Sequence, residues 1–267
     1  ELVAAEKHGA VITSEIDTFL KIAPCPVIAV TGSAGKTTTT TLTSLMLDAV
    51  AKEKGDGSRV FLGGNIGDPP LYRATEMAQN DVVVLELSSF QLMTVNAHFE
   101  AAVITNITPN HLNWHTGMDE YIAAMARILN DCGRAVLGYG CEITRELGKT
   151  VSVPVTYFSR YPIPLEKISD KDTAIFPRYG WICEFSGGKC EKLLSLDDIL
   201  LPGMHNAENY MAAIAATRGR VSPDLVRGVA RTFGGVPHRL ELVAKKNGVE
   251  YYNSSIDSSP DRTAAAL

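Results

Sequence analysis

The chain has 267 residues, enough for one large or two modest domains with a real core. Apolar residues make up 45% and charged residues 21%, and the net charge of −5 is spread among dispersed lysines and arginines, which offers no footprint for nucleic acid. No apolar run approaches the ~20 residues that a bilayer span needs, and five cysteines (Cys25, Cys132, Cys141, Cys183, Cys190) without a Cys-x-x-Cys pair argue for reduced thiols in a cytoplasmic setting.

Residues 1–22 read as a helical tail at 2–5, a strand at 10–13 and a further helical turn. They are too few to bury a core, so they are expected to end a preceding domain. No secretory leader opens the sequence, and the first residue is Glu1 rather than methionine, so the chain is expected to be a fragment. Pro24 and Pro26 then punctuate the chain before an apolar strand at 27–30. A helix follows over 35–50, with Leu42, Leu45, Met46 and Ala49 on one face. Strands are expected at 59–62, 81–87, 101–105 and 134–137, with a helix over 118–129. The 81–87 run is almost continuously apolar, as a strand covered on both faces must be. Such alternation predicts an α/β fold built on a mostly parallel sheet flanked by helices.

Between 150 and 200 the character changes. Short β-type pieces at 155–158, 174–176 and 181–185, separated by proline and glycine turns, suggest a small antiparallel appendage. Helices are expected at 206–217 and 222–233, the second with Ser222 as N-cap and Pro223 at its first position. Gly234-Gly235-Val236-Pro237 resembles a hinge. Beyond it, segments 240–244 and 249–252 should pair as a hairpin around Asn247-Gly248.

Chemistry collects where the expected strands end. Thr31-Gly32-Ser33-Ala34-Gly35-Lys36-Thr37-Thr38 follows an apolar strand and opens a helix, so it reads as a phosphate-binding loop. Glycines let backbone N–H groups approach phosphate oxygens, Lys36 reaches the terminal phosphates, and the Thr37 hydroxyl suits Mg2+. The pattern G-x-x-x-x-G-K-[ST] would place glycine where Val30 stands, so this loop is a shorter G-x-x-G-K-T variant. Asn65-Ile66-Gly67, Glu86 with Ser88-Ser89, and the segment from Asn106 to His111 end the next three strands. In an open parallel sheet all four should converge on one crevice. Glu86 closes an apolar run, where a carboxylate needs a partner, either Mg2+ beside a polyphosphate or an arginine or helix N-terminus. His111 and His115 are spaced i, i+4, but Leu112 replaces the glutamate of His-Glu-x-x-His and Pro109 makes a loop. Zinc is therefore discounted, and His111 is read as a Mg2+ or substrate ligand. Asn206 and Asn209 share a helix face and offer amides that suit an adenine edge, although either could serve as a cap.

In this order and spacing, the loop at Thr31–Thr38, Gly64-Asn65-Ile66-Gly67, Glu86-Leu87-Ser88-Ser89-Phe90-Gln91-Leu92, the 106–111 segment, His205-Asn206-x-x-Asn209 and His238-Arg239 resemble the Mur ligases. The Ser-Ser-Phe-Gln-Leu run is similar to the members that add D-glutamate. The resemblance implies three domains: a UDP-binding domain of which 1–22 is the tail, a central ATP-binding domain over 23–236, and a Rossmann-like amino-acid-binding domain of which 237–267 is the start. It implies ATP and Mg2+ as cofactors, UDP-N-acetylmuramoyl-L-alanine and D-glutamate as substrates, and an acyl-phosphate intermediate on the way to the amide. By the same resemblance the catalytic residues are Lys36, Glu86 and His111. Gly32, Ser33, Ala34, Gly35, Lys36, Thr37, Thr38, Asn206, Asn209 and Arg239 hold ATP. Asn65, Ser88 and Ser258 meet the substrates, and Thr37, Glu86 and His111 ligate metal. A cytoplasmic monomer with no nucleic acid or membrane partner is expected.

Three positions depart from the family pattern. The family carries a carbamylated lysine where Tyr121-Ile122-Ala123-Ala124-Met125 has Met125, and a thioether is a poor Mg2+ ligand. Ser254-Ser255-Ile256 replaces an Asp-Ser-Lys run, with Asp257 next to it, and Asn110 replaces an aspartate. A second Mg2+ site should therefore be weak or differently built. Another Mur ligase or a folylpolyglutamate synthase is the nearest enzymatic alternative, and a nucleotide-binding homologue without catalysis is the alternative of a different class. A phosphate-loop NTPase that couples hydrolysis to motion is a third.

Overall fold

The computed structural model describes residues 2–109, 114–238 and 241–255. Its centre is a nine-stranded sheet. The strands are β1 (Val27–Thr31), β2 (Val60–Gly64), β3 (Val82–Glu86), β4 (Ala101–Ile104), β5 (Ala135–Gly138), β6 (Val155–Phe158), β7 (Thr173–Arg178), β8 (Trp181–Ser186) and β9 (Lys189–Ser195). Their order is β2-β3-β1-β4-β5-β6-β7-β8-β9, parallel from β2 through β7 and antiparallel beyond. The chain runs out from β1 to β2, returns to β3 on one flank of β1, and continues on the other flank at β4. This reversal of strand order creates a crevice at the carboxyl end of β1.

Successive residues of β1 and β3 enter opposite cores. Val27, Ala29, Val83 and Leu85 face one cluster, and Ile28, Val30, Val82 and Val84 face the other. Both faces are buried, which is why these strands read as continuous apolar runs. The first face is covered by α2 (Glu15–Ile22), α5 (Ser89–Leu92) and α6 (Met118–Ala126), through Ile16, Phe19, Leu92, Tyr121 and Met125. The second face carries α3 (Lys36–Lys54), α8 (Met204–Ala216) and α9 (Pro223–Ala230).

Helix α3 opens with five threonines, which are poor helix formers. Two of these, Thr40 and Thr41, and the following Thr43 turn their hydroxyls onto the preceding turn, each donating to the carbonyl four residues back at 2.8 Å. Helix α8 is alanine-rich, so it lies close against the sheet, with Ala212, Ala213, Ala215 and Ala216 fully buried. Within it Tyr210 is 0% exposed, its hydroxyl has no hydrogen-bond partner among the described residues, and burial pushes its phenol far above the usual range. A buried donor without a partner costs free energy. Tyr210→Phe is therefore expected to stabilise the protein by about 1 kcal/mol, seen as a melting temperature raised by ~2–4 °C. A drop would mean that the hydroxyl is satisfied.

Several sequence expectations are met closely. Ser222 caps α9 by accepting from the Leu225 amide, with Pro223 at the first helical position. The hairpin forms as β10 (Glu241–Lys246) and β11 (Val249–Asn253), with Asn247 and Gly248 both at positive φ as a type I′ turn requires. Two expectations are corrected. Residues 10–13 form no strand, because nothing pairs with them; they lead exposed from α1 (Leu2–Lys7) to α2. The 150–200 region is no separate appendage. Helix α7 (Glu142–Thr150), charged and missed in the sequence pattern, carries the chain back so that β6 pairs parallel with β5 and β7 with β6. Only β8 and β9 are antiparallel, and they extend the same sheet. None of the described helices is long and apolar enough to cross a membrane, and all five cysteines are free thiols.

Candidate active site

The loop between β1 and α3 is held open by glycine. Gly32 sits at φ 142° against Thr105, and an added Cβ would collide with the Thr105 hydroxyl. Gly35 is the α3 N-cap at φ 85°, and a Cβ there would lie 2.6 Å from Asn209 Oδ1. No other side chain could occupy either position without moving a neighbour. The segment after β4 braces the loop from the side. Asn106 clamps Ala34, accepting from its amide and donating to its carbonyl, both at 3.0 Å. Thr105 Oγ1 donates to the same carbonyl at 2.6 Å. Ser33 donates from its backbone amide to Asn106 O at 2.9 Å.

Helix α3 starts at Lys36 with no side chain capping its N-terminus. Its first turn therefore presents backbone N–H groups and the positive end of its dipole toward the loop, the arrangement that binds phosphate. Lys36 Nζ donates to Gly32 O at 2.7 Å, so the ammonium lies folded over the loop. Thr37 follows, half-buried, and Thr38 is buried beneath it.

Glu86 ends β3 directly beside Val30, one residue before the loop begins. It is 1% exposed. Asn65 Nδ2 donates to its Oε1 at 2.9 Å, while its Oε2 has no hydrogen-bond partner among the described residues. A buried carboxylate oxygen left open in this way suits a cation. Asn65 also anchors its own backbone to the Glu86 carbonyl at 2.8 Å, so the end of β2 fixes the acid from both sides.

The crevice thus brings together Gly32, Ser33, Ala34, Gly35, Lys36, Thr37, Thr38, Asn65 and Glu86. Asn209 joins them from α8, accepting from Thr39 Oγ1 at 3.4 Å and donating to Asn206 Oδ1 at 3.4 Å. Asn206 is not the N-cap of α8, a position that Gly203 fills; its Nδ2 donates to Pro202 O at 2.7 Å. Ser88 is engaged locally: it caps α5 in a reciprocal box with Gln91. His111, Arg239 and Ser258 lie outside the described residues, as do Asn110, Ile256 and Asp257.

Beside the site lie two residues to which sequence reading gave no role there, His115 and Tyr121. Ser89 Oγ lies 2.9 Å from His115 Nε2, and His115 Nδ1 lies 3.4 Å from Glu120 Oε2. The Thr116 amide, donating to Glu120 at 2.7 Å, holds that carboxyl below the usual range. Tyr121 OH lies 3.0 Å from Ser33 Oγ. The available signal was the adjacency of Ser89 to Ser88 and of Tyr121 to the Met125 position, which matched motifs without implying contact.

A glycine loop that opens a helix at the switch point of a parallel sheet, with a buried acid beside it, is the arrangement of α/β proteins of the phosphate-loop class. The comparison with protein families matches residues 30–217, more than half of the chain, to the Mur ligase middle domain. The chain belongs to the Mur ligase family. It is 45% identical over 270 residues to the UDP-N-acetylmuramoylalanine--D-glutamate ligase of Ruminiclostridium cellulolyticum, and 44% identical over 271 residues to that of Acetivibrio thermocellus. Each match covers 100% of this chain and 55% of the relative. The chain therefore spans about half the length of the curated relatives it matches. Among solved structures, MurF from Acinetobacter baumannii superposes with a TM-score of 0.66 at 19% identity, covering 92% of this chain and 54% of that one. MurF ligase from Thermotoga maritima, solved in complex with ADP, gives 0.62 at 18%, covering 96% and 61%. At these identities the likeness establishes the fold.

Proposed function

We propose that this chain is the ATP-binding core of an ATP-dependent ligase that joins D-glutamate to UDP-N-acetylmuramoyl-L-alanine in peptidoglycan precursor synthesis. The reading rests on family membership and on the names of the relatives at 45% and 44% identity. The single observation that carries the chemistry is the open Oε2 of buried Glu86 beside the phosphate loop.

Lys36 and the α3 N-terminus bind the polyphosphate of ATP and neutralise charge that develops on the transferred phosphoryl group. Phosphoryl transfer needs little else from a protein than position and charge. Thr37 and Glu86 are the residues that would hold Mg2+, which would supply further charge neutralisation. Asn65 keeps the Glu86 carboxylate in one rotamer, and Asn206 and Asn209 flank the loop on the side proposed for adenine. The substrate carboxylate, activated as an acyl phosphate, is then attacked by the amine of D-glutamate, and phosphate leaves. His111 as a metal ligand, Arg239 as an ATP contact, and Ser88 and Ser258 as substrate contacts remain parts of this proposal.

The division into 1–22, 23–236 and 237–267, as the tail of a UDP-binding domain, the ATP-binding domain and the start of an amino-acid-binding domain, belongs to the same proposal, as do a monomeric state and a cytoplasmic location. Met125 favours a second reading. It is 2% exposed and packed in the apolar core, where the family pattern has a carbamylated lysine. A weakened second Mg2+ site follows, and with it the possibility of a homologue that binds nucleotide without turnover. Phosphate release by the full-length protein separates the two. The ligase requires release that depends on both UDP-N-acetylmuramoyl-L-alanine and D-glutamate. Release with ATP alone, or nucleotide binding without release, would contradict it.

A further inference from the structure

We propose that His115 and Tyr121 are positioning residues that form a buried strut between the turn after β3 and the phosphate loop, keeping Glu86 and Lys36 in register. The role assigned to that register rests on the phosphoryl-transfer reading above.

Both ends of the strut are polar and specific. At the loop end, Ser33 Oγ donates to Thr108 O at 2.9 Å and accepts from Thr108 N at 2.9 Å. The same Ser33 Oγ lies 3.0 Å from Tyr121 OH, a hydrogen bond between two buried hydroxyls. Tyr121 is 1% exposed, so water cannot replace it without repacking. At the other end, His115 reaches Ser89, three residues beyond Glu86, through Nε2 at 2.9 Å. Its other ring nitrogen, Nδ1, lies 3.4 Å from the Glu120 carboxylate, so both nitrogens have a polar partner. Glu120 is itself fixed by the Thr116 amide and hydroxyl.

The middle of the strut is packed ring against ring. Phe90 stacks flat on His115, with centroids 5.0 Å apart and planes 8° from parallel. Tyr121 leans on His115 at 5.3 Å and 54°. The imidazole therefore has no alternative rotamer without displacing an aromatic neighbour, and its 5% exposure leaves it no contact with bulk solvent to exchange for. A buried histidine with both nitrogens engaged is suited to holding elements apart at a set distance. Ser33 and Ser89 lie on segments that follow β1 and β3, adjacent strands whose ends carry the loop and the acid. The sheet fixes the strands, but the loop and turn beyond them need a separate brace, and this one spans both.

The test is a double-mutant cycle in the full-length protein. Tyr121→Phe deletes only the hydroxyl, and Ser33→Ala deletes its partner. Tyr121→Phe should lower kcat/KM for ATP about 3–10-fold, the effect of one buried hydrogen bond, and Ser33→Ala, which also removes both contacts with Thr108, should lower it further. The double variant should be no worse than the more impaired single one, because both remove the same contact. His115→Gln should show the same loss and the same non-additivity with Tyr121→Phe. ADP affinity by calorimetry is measured in parallel, so that the strut is read even apart from turnover. Multiplicative losses, or melting temperatures that fall while kcat/KM and ADP affinity stay at the parent values, would overturn the strut. If the unmodified protein shows neither ADP binding nor substrate-dependent phosphate release, the functional reading fails first and takes the strut's role with it.

Discussion

Replacing Lys36 by alanine is expected to reduce substrate-dependent phosphate release by ~10²–10³-fold, while leaving the fold intact. The side chain is half-buried, and its hydrogen bond to Gly32 O is local to the loop. Its removal takes away the positive charge that the phosphoryl-transfer reading places over the loop. In the transition state the transferred group spreads negative charge over its oxygens, and no other lysine or arginine among the described residues lies on this loop. Lys36→Arg should restore little, because a planar fork does not fit where a compact ammonium folds over the glycine loop. Steady-state phosphate release with circular dichroism as a control checks both statements. A tenfold or smaller loss would remove Lys36 from the centre of the chemistry.

The second large effect is expected at Glu86, where activity and stability should move in opposite directions. Glu86→Gln keeps the shape and leaves an oxygen to accept from Asn65 Nδ2, but removes the negative charge. Without metal, the native carboxylate is buried with one oxygen unpartnered among the described residues. Neutralising it should raise the melting temperature of the metal-free protein by ~2–4 °C, about 1 kcal/mol for a chain of this size. Turnover should fall by ~10²–10³-fold. The stabilisation conferred by Mg2+ with nucleotide on the parent protein should be lost, since a ligand stabilises only what it binds. Equal melting behaviour of parent and variant with and without Mg2+ would mean that Glu86 is a structural acid.

Much of the fold was legible because its period is simple. Strands such as β3, apolar on both faces, can sit only inside a covered parallel sheet, and their alternation with helices leaves few topologies. The boundaries of the sheet were less legible. Segment 10–13 has strand-like residues, but a strand needs a neighbour, and pairing partners are not written in a local pattern. Likewise β6 and β7 looked antiparallel because the crossover α7 between β5 and β6 is short and mostly polar, with Ile143 and Leu147 its only apolar side chains turned to the core. In the site, glycines, lysine and acid were legible because phosphate chemistry restricts residue types. His115 and Tyr121 were not. Their contacts with Ser89 and Ser33 join segments 26 and 88 residues apart, and no local pattern encodes such a pairing. Ser88 shows the converse: its place in a matching motif said nothing of the capping box that engages it here.

The most direct test follows one oxygen atom. UDP-N-acetylmuramoyl-L-alanine labelled with heavy oxygen in its carboxylate is incubated with ATP, Mg2+, D-glutamate and the full-length protein, and the released phosphate is analysed by mass spectrometry. Activation as an acyl phosphate beside Lys36 and Glu86 requires one labelled oxygen to leave with the phosphate as the amide forms. Released phosphate without label, while ATP is consumed, would show that the loop hydrolyses nucleotide without activating a carboxylate, and would contradict the ligase assignment.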